Sequence, residues 1–260
     1  MSFFSRSRYY AKSILTLLIH FERPVDILSI FLGFPNSLPA EIKLRRRDLR
    51  FRVLQKMDVW VIKETCIDGD YFWRGGLQPG WNVVDIGAGL GDFTVLAAKQ
   101  CQPGVVHAYE PLAKSFDMLQ DNLALNQVTN VQSFREAAVA GKKAVTPLAD
   151  DVSAASTRFV ESAGSNGLLS VDLAQIIGRM PESRCDFLKI DCEGCEFDLL
   201  MQSPAPILSR IQCLSIETHD GYTAHNSSEL ARYLSTSGFQ VYQRPNPVHD
   251  YLGFLYARQT

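Results

Sequence analysis

The run Val83-Val84-Asp85-Ile86-Gly87-Ala88-Gly89-Leu90-Gly91 sets the first chemical expectation for this chain. An apolar stretch that ends in an acid and opens into alternating glycines predicts a buried strand, a tight turn and a helix start. Glycine there tolerates positive φ and lets a ligand approach backbone that a Cβ would shield. A second apolar stretch, Val105 to Tyr109, ends in Glu110, 21 residues beyond Gly89. In a nucleotide-binding βαβ unit an acid at about this distance reaches the ribose hydroxyls. The pair predicts a site for an adenosine-containing ligand.

The dinucleotide fingerprint G-x-G-x-x-G needs a glycine where Asp92 stands. A helix start that must hold a pyrophosphate gains nothing from another negative charge. A ligand carrying an ammonium and a sulfonium gains from both Asp85 and Asp92. The pattern therefore favours S-adenosylmethionine over a nicotinamide dinucleotide.

The elements that must position these residues follow from periodicity and punctuation. Strands and helices alternate from residue 82 onward, which predicts a mostly parallel sheet with helices on both faces. Strands are expected at 82–86, 105–109, 131–134, 185–191 and 211–217, each followed by a helix. Residues 150–167, rich in Ser, Ala and Gly, read as a loop or loose hairpin, and 239–244 with 251–257 as a closing antiparallel pair. Upstream, 41–63 suggests a short hairpin leading into a helix over 57–66. Residues 9–34 suggest one or two amphipathic helices divided at Pro24. The division expected is 1–80 as a helical extension with a hairpin, and 81–260 as the Rossmann-like domain.

Composition narrows the partners. The 260 residues carry a net charge of −2 with 46% hydrophobic residues, an ordinary globular balance that gives no reason to expect nucleic acid. Arg45-Arg46-Arg47 reads as a solvated surface cluster. The apolar stretch 14–19 is shorter than a signal-peptide core or the roughly 20 residues of a membrane span. A cytoplasmic protein without a transmembrane segment is expected. The N-terminal helices are left to cap the domain, pair with a second copy in a homodimer, or rest on a membrane surface. The six cysteines are scattered among core segments, so reduced thiols are expected, with Cys192 and Cys195 as buried pocket-wall residues.

In a parallel sheet, ligands bind beyond the carboxyl ends of the strands. Asp85, Glu110, Glu136, Asp191 with Glu193, and Glu217 with His219 stand there. This row suits a cationic cofactor and also offers bases; no metal is expected, because the acids already have a use facing the sulfonium. His219, near pKa ~6.5 when unperturbed, is the first candidate general base, with Asp191 and Glu193 as alternatives. His225 and Tyr222 are assigned to an acceptor loop, while His107 and His249 read as structural or solvent-facing.

The segments VVDIGAGLGDFTVLAA, HAYEP, DFLKIDCEGCEFDLL and SIETH resemble the FkbM-type S-adenosylmethionine-dependent methyltransferases, and DVWVIKETCIDGDY resembles the stretch preceding their first motif. The resemblance covers about residues 41–257. Its most specific part is K-I-D-x-E-G-x-E, Lys189 to Glu196, where Cys195 replaces a smaller residue, commonly alanine. It implies the class I methyltransferase fold, a Rossmann-like seven-stranded sheet with an antiparallel last strand. It also implies S-adenosylmethionine as donor and an acceptor hydroxyl on a small molecule, natural product or glycoconjugate. Methylation of an amide or amine nitrogen and a non-catalytic cofactor-binding or interaction protein are the alternatives. Carried over by position, Asp85, Gly87, Gly89 and Gly91 shape the methionine pocket, with Phe93 and Thr94 beside it. Glu110 takes the ribose, Leu112, Glu136 and Ala137 bracket the adenine, and Glu64 and Tyr71 reach the methionine end.

Overall fold

The computed structural model describes residues 3–35, 37–73, 75–141, 145–147, 159–161 and 167–260. The apolar runs become the strands of one sheet because each can be covered on both faces. β3 (Val83–Ile86) and β4 (Val106–Tyr109) are buried at every position, as expected for parallel strands under two helix layers. The chain begins with α1 (Phe3–His20), α2 (Pro24–Leu32), the hairpin β1 (Ala40–Lys43) and β2 (Arg50–Val53), and α3 (Lys56–Lys63), which runs into a π-helical turn, Glu64–Asp68. After β3 come α4 (Asp92–Cys101), β4, α5 (Ala113–Leu125) and β5 (Val131–Phe134).

The short pairs β6 (Ala137–Ala138) with β9 (Ser170–Val171) and β7 (Val145–Pro147) with β8 (Phe159–Glu161) follow. The stretch expected as a loop or loose hairpin lies otherwise outside the described residues. Then come α6 (Leu173–Gly178), β10 (Cys185–Ile190), α7 (Cys195–Met201), α8 (Ala205–Leu208), β11 (Ile211–His219), α9 (Ser227–Thr236), β12 (Phe239–Pro245) and β13 (Leu252–Gln259). α6 begins at Leu173, where Asp172 caps it by accepting a hydrogen bond from the Gln175 N–H.

The seven-stranded sheet has the order β12-β13-β11-β10-β3-β4-β5, with β13 antiparallel between β11 and β12. This is the class I methyltransferase arrangement. Its register aligns the strand ends: Ile86 pairs with Tyr109 on one side and with Ile190 on the other, and Ile190 pairs with Ile216. Gly87, Glu110, Asp191 and Glu217, the next residues of four strands, therefore come out in one row.

The N-terminal elements share the core of the sheet's helices. Leu17, Phe21, Ile27 and Phe51 pack in one cluster with Leu90, Val95, Leu96 and Leu119. Two asparagines, Asn122 on α5 and Asn126 at its C-cap, fasten the hairpin by imitating a neighbouring strand. Asn122 Oδ1 accepts from the Arg52 N–H at 2.7 Å, and its Nδ2 donates to Leu90 O at 2.8 Å. Asn126 Oδ1 accepts from the Arg50 N–H at 3.0 Å, and its Nδ2 donates to Arg50 O at 2.6 Å. No helix among the described residues is long and apolar enough to cross a membrane.

Asn122 is fully buried, so its removal strands an N–H and a carbonyl. Asn122→Ala is expected to destabilise the chain by about 1–3 kcal/mol for each group left unpaired. Urea unfolding reads this as a lower midpoint; an unchanged midpoint would mean that the hairpin is held by its apolar face alone.

Candidate active site

Two close approaches shape the turn after β3. Gly87 has φ 73°, and a Cβ there would stand 1.7 Å from the Asp191 carbonyl oxygen, so only glycine lets the loops after β3 and β10 meet. Gly91, at φ 89°, would press a Cβ to 2.6 Å from Leu119. Gly89 differs: its missing side chain would meet nothing within 4 Å, and the residue lines a cavity of about 450 Å³ beyond the strand ends. Among the described residues, seven carboxyl groups line that cavity against two lysines and two histidines.

Lys189, at the end of β10, holds the arrangement together. Its buried Nζ lies 3.0 Å from Asp85 Oδ1, donates to Gly87 O at 2.7 Å and stands 3.9 Å from Asp191 Oδ2. Burial alone would lower its pKa; the charges of Asp85, Asp191 and Asp92 outweigh burial and raise it. Asp85 also accepts from the Thr94 hydroxyl at 2.6 Å. Asp191 is left facing the cavity, where it accepts from the Tyr71 hydroxyl at 2.7 Å. The segment carrying Tyr71 is anchored in turn by Arg244 Nη2 on Asp70 at 2.8 Å.

Glu110 stands at the opposite side of the turn. Its Oε2 accepts from the Gly89 N–H and its Oε1 from the Leu112 N–H, both at 2.9 Å. Burial raises its pKa to about 7 against the pull of these hydrogen bonds. Burial likewise raises Asp92 to about 6 and Glu64 to about 7, and it raises Glu217, with the charge of Asp191 adding to the effect.

His219, at the end of β11, is 3% exposed and reaches the cavity wall. Glu196 Oε1 accepts from its backbone N–H at 2.9 Å and lies 3.1 Å from Nδ1. On the other side of the ring, Nε2 lies 3.6 Å from Glu193 Oε2 and 3.9 Å from Asp191 Oδ1. Burial would lower the imidazole pKa, but the hydrogen bond and charge of Glu196, followed by Asp191 and Glu193, push it up to about 10. Asp191, Glu217 and His219 bring one ligating atom each within 4.8 Å of one another.

Of the residues expected at the site, Glu64, Tyr71, Gly87, Gly89, Glu110, Asp191, Glu193 and His219 line the cavity. The others are placed differently, each for a physical reason. Asp85 is turned inward to Lys189 and Thr94, and Thr94 is fully buried beside it. Phe93 packs into the core against Tyr71, Phe72 and Phe187. Gly91 sits behind the turn, against Leu119. Leu112 contributes its backbone N–H to Glu110 rather than a wall. Glu136 accepts from Nη1 and Nη2 of Arg179, whose guanidinium lies over the Phe134 ring. Ala137 is buried in the β6–β9 pair.

His225 lies in the loop before α9, 3.3 Å from Glu229, and Tyr222 of the same loop lines the cavity. His249 is exposed, as expected, and the turn between β12 and β13 also brings it to the cavity wall. The reduced thiols expected at Cys192 and Cys195 are a disulfide, and both residues are half-buried. Positive φ at Glu193 (57°) and Gly194 (107°) curls the chain so that the two Cα atoms lie 5.5 Å apart, within disulfide range. A non-glycine residue at such a φ is strained, a feature that concentrates at functional loops. Lys189 and Glu196 were visible only as motif letters. Their roles depend on pairings across the sheet that spacing does not reveal.

Removing one partner of a buried ion pair leaves a bare charge, at about 3–5 kcal/mol. Lys189→Met is expected to destabilise by that amount, and adding Asp85→Asn should recover part of it. Denaturant unfolding of the two variants checks this; a double variant no more stable than the single would exclude the pairing as the cause.

The model for the Methyltransferase FkbM domain family matches residues 85–241. The AMB antimetabolite synthetase AmbE of Pseudomonas aeruginosa is 28% identical over 227 residues, an alignment covering 70% of this chain and 10% of that protein. This chain thus spans about a tenth of that relative's length. Among solved structures, a precorrin-6y C5,15-methyltransferase from Geobacter metallireducens GS-15 is similar with a TM-score of 0.44 and 14% identity, covering 80% of this chain and 90% of that one. Magnesium protoporphyrin IX methyltransferase from Synechocystis PCC 6803 with bound SAM is similar with a TM-score of 0.41 and 13% identity, covering 77% of each chain. On the family match, which spans more than half of the sequence, the chain belongs to the FkbM methyltransferase family.

Proposed function

We propose that this enzyme methylates a hydroxyl of a small molecule, natural product or glycoconjugate, in the cytoplasm, with His219 as the general base. The observation that carries the reading is the His219–Glu196 pair on the wall of the cavity that also holds Glu110 and Gly89. An alcohol is a poor nucleophile until its proton is drawn away, and an imidazole oriented by a carboxylate is suited to that work. The relative's name, an antimetabolite synthetase, supports a small-molecule acceptor.

The cavity suits the donor on two counts. The open side of Gly89 leaves room against the backbone, and the excess of carboxyl groups favours a cation. When bound, S-adenosylmethionine supplies an electrophilic methyl group on a sulfonium. Gly87 and Gly89 would admit it against the turn, Glu110 would accept from the ribose hydroxyls, and Asp92, Asp191 and Tyr71 would face its methionine end. Asp191 and Glu193 then stand beside His219 Nε2, where they stabilise the imidazolium formed once the acceptor proton arrives. Alignment of the acceptor with the methyl group contributes the rest of the rate, as in any in-line displacement.

Transfer to an amine or amide nitrogen is the second reading. It is favoured by the high pKa of His219, which keeps the ring protonated near neutrality; a neutral amine needs no base.

Glu110→Ala is expected to weaken S-adenosylhomocysteine binding by about 1.5–3 kcal/mol, the range for hydrogen bonds to a charged group. In the wild type, affinity should fall as pH drops through about 7, where Glu110 takes up its proton. Calorimetry across pH 5.5–8.5 (roughly a unit and a half on either side of that value) checks both, and unchanged affinity in the variant would remove Glu110 from the ribose.

The base assignment gives a second expectation. Deprotonated His219 becomes available only as pH rises toward about 10, so turnover should increase on the alkaline side of neutrality. Glu196→Gln removes the charge that raises the imidazole pKa, so the acid limb of its rate profile should move to lower pH while the maximal rate falls. Coincident profiles would assign the proton transfer to another group. Normal turnover of His219→Ala would favour the nitrogen acceptor.

A further inference from the structure

A second cavity, also of about 450 Å³, lies between α1, α2 and α3. It shares Met57, Trp60, Glu64, Asn246 and His249 with the donor cavity, so the two spaces meet at these side chains. Its volume falls within the roughly 300–1,000 Å³ usual for ligand pockets. Away from the junction the walls are apolar, with Ile14, Leu18, Leu28, Phe31 and Leu32 prominent. Three of these, Ile14, Leu28 and Leu32, are also 50%, 37% and 69% exposed, so the cavity opens to the surface through apolar side chains.

Water in such a space finds few partners, and an empty space forfeits dispersion contacts; an apolar ligand group relieves both. The junction is polar and fixed. Glu64 Oε1 accepts from Trp60 Nε1 at 2.8 Å and from the Tyr9 hydroxyl at 3.3 Å. Among the described residues, every one lining it lies within 9–64 or 246–249, outside the family match at 85–241. This cavity is therefore built by the parts of the chain that the family match leaves out.

We propose that the second cavity is the acceptor subsite and takes the aliphatic chain of a lipophilic hydroxylated molecule, its polar end turned past Glu64 toward the donor cavity. The assignment rests on the hydroxyl-methylation reading for the identity of that polar end. A sugar or a charged group would leave its polar atoms against leucine and isoleucine, which disfavours binding. An aliphatic chain meets only matching surface there. Leu28 and Leu32 are then specificity residues, selecting by length and bulk without touching the reacting atoms.

Calorimetric titration of decan-1-ol and butan-1-ol into the 260-residue chain, with S-adenosylhomocysteine titrated separately, tests this. Saturable decan-1-ol binding is expected, with affinity rising roughly fourfold for each added methylene that is buried. Leu28→Trp, which fills the cavity, should weaken decan-1-ol binding at least roughly tenfold (a loss of two methylenes' burial) and leave S-adenosylhomocysteine binding unchanged. Leu32→Trp, on the more exposed wall, repeats the test should the first variant fail to fold. Three results would overturn the subsite: no decan-1-ol binding to the wild type, equal binding by the variants, or flotation with phosphatidylcholine vesicles in place of monomeric binding, which would make the face a membrane contact. A dimer that dissociates in Leu28→Trp, with no decan-1-ol bound, would overturn it in favour of a second copy. Decan-1-ol binding that the variants weaken, with no hydroxyl compound methylated, would leave the subsite standing and reject the hydroxyl reading. Methylation of short hydroxyl compounds without decan-1-ol binding would do the reverse.

Discussion

Lys189 is a cation in the interior of a sheet, and a bare ammonium there is so unfavourable that it dictates where its neighbours stand. Asp85 must face it from β3, the Gly87 carbonyl must turn toward it, and Asp191 must lie near enough to share the charge. These three groups belong to the ends of two adjacent strands. Fixing them fixes the separation of the two loops that form the floor of the donor cavity. The absence of a side chain at Gly87 completes the constraint, because the loops touch where a Cβ would collide with the Asp191 carbonyl. Once Asp85 has satisfied the lysine, Asp191 is left to receive the Tyr71 hydroxyl at the cavity surface.

That pairing leaves the rest of the cavity short of positive charge. Carboxyl groups crowded together away from water resist ionisation, which is why Glu64, Asp92, Glu110 and Glu217 all hold their protons above the usual range. A fold that sought only stability would replace some of them with apolar residues. Retained, they form a field that a bound cation relieves, and the relief is available to no neutral nucleoside. His219 responds to the same field in the opposite sense. Its ring is surrounded by Glu196, Asp191 and Glu193, so the proton it holds is stabilised where a neutral environment would release it. The donor cavity and the candidate base are thus set by one charge distribution.

What could be read in the chain beforehand follows from this division. Gly87, Gly89 and Glu110 were legible because strand ends in a parallel sheet share an edge, and spacing along the chain is enough to find it. Asp191, Glu193 and His219 were legible for the same reason. Phe93 and Thr94 were placed at the cavity by spacing alone, but helix phase decides which side of α4 faces it, and α4 presents both to the core. Glu136 was lost to Arg179, a partner 43 residues away that no local pattern announces. His249 came to the cavity by the return of β13 beside β11, and the Cys192–Cys195 bond depended on a left-handed residue at Glu193, which residue types do not predict.

The π-helical turn at Glu64–Asp68 joins the donor side to the chain's own N-terminal architecture. Glu64 follows Trp60 by four residues, the α-helical spacing that puts the two on one face at the cavity. The wider turn that starts at Glu64 changes the phase of the residues after it, and Thr65 and Cys66 are buried. Wide turns of this kind recur at functional sites because they aim one side chain without ending the helix. Tyr9 on α1 then supplies the second hydrogen bond, so the N-terminal helix holds the residue that divides the two cavities. The matched stretch at 85–241 carries most of the donor turn, while the divider is held by residues before it. The two cavities therefore share Glu64, and a change in how α1 meets it reaches both.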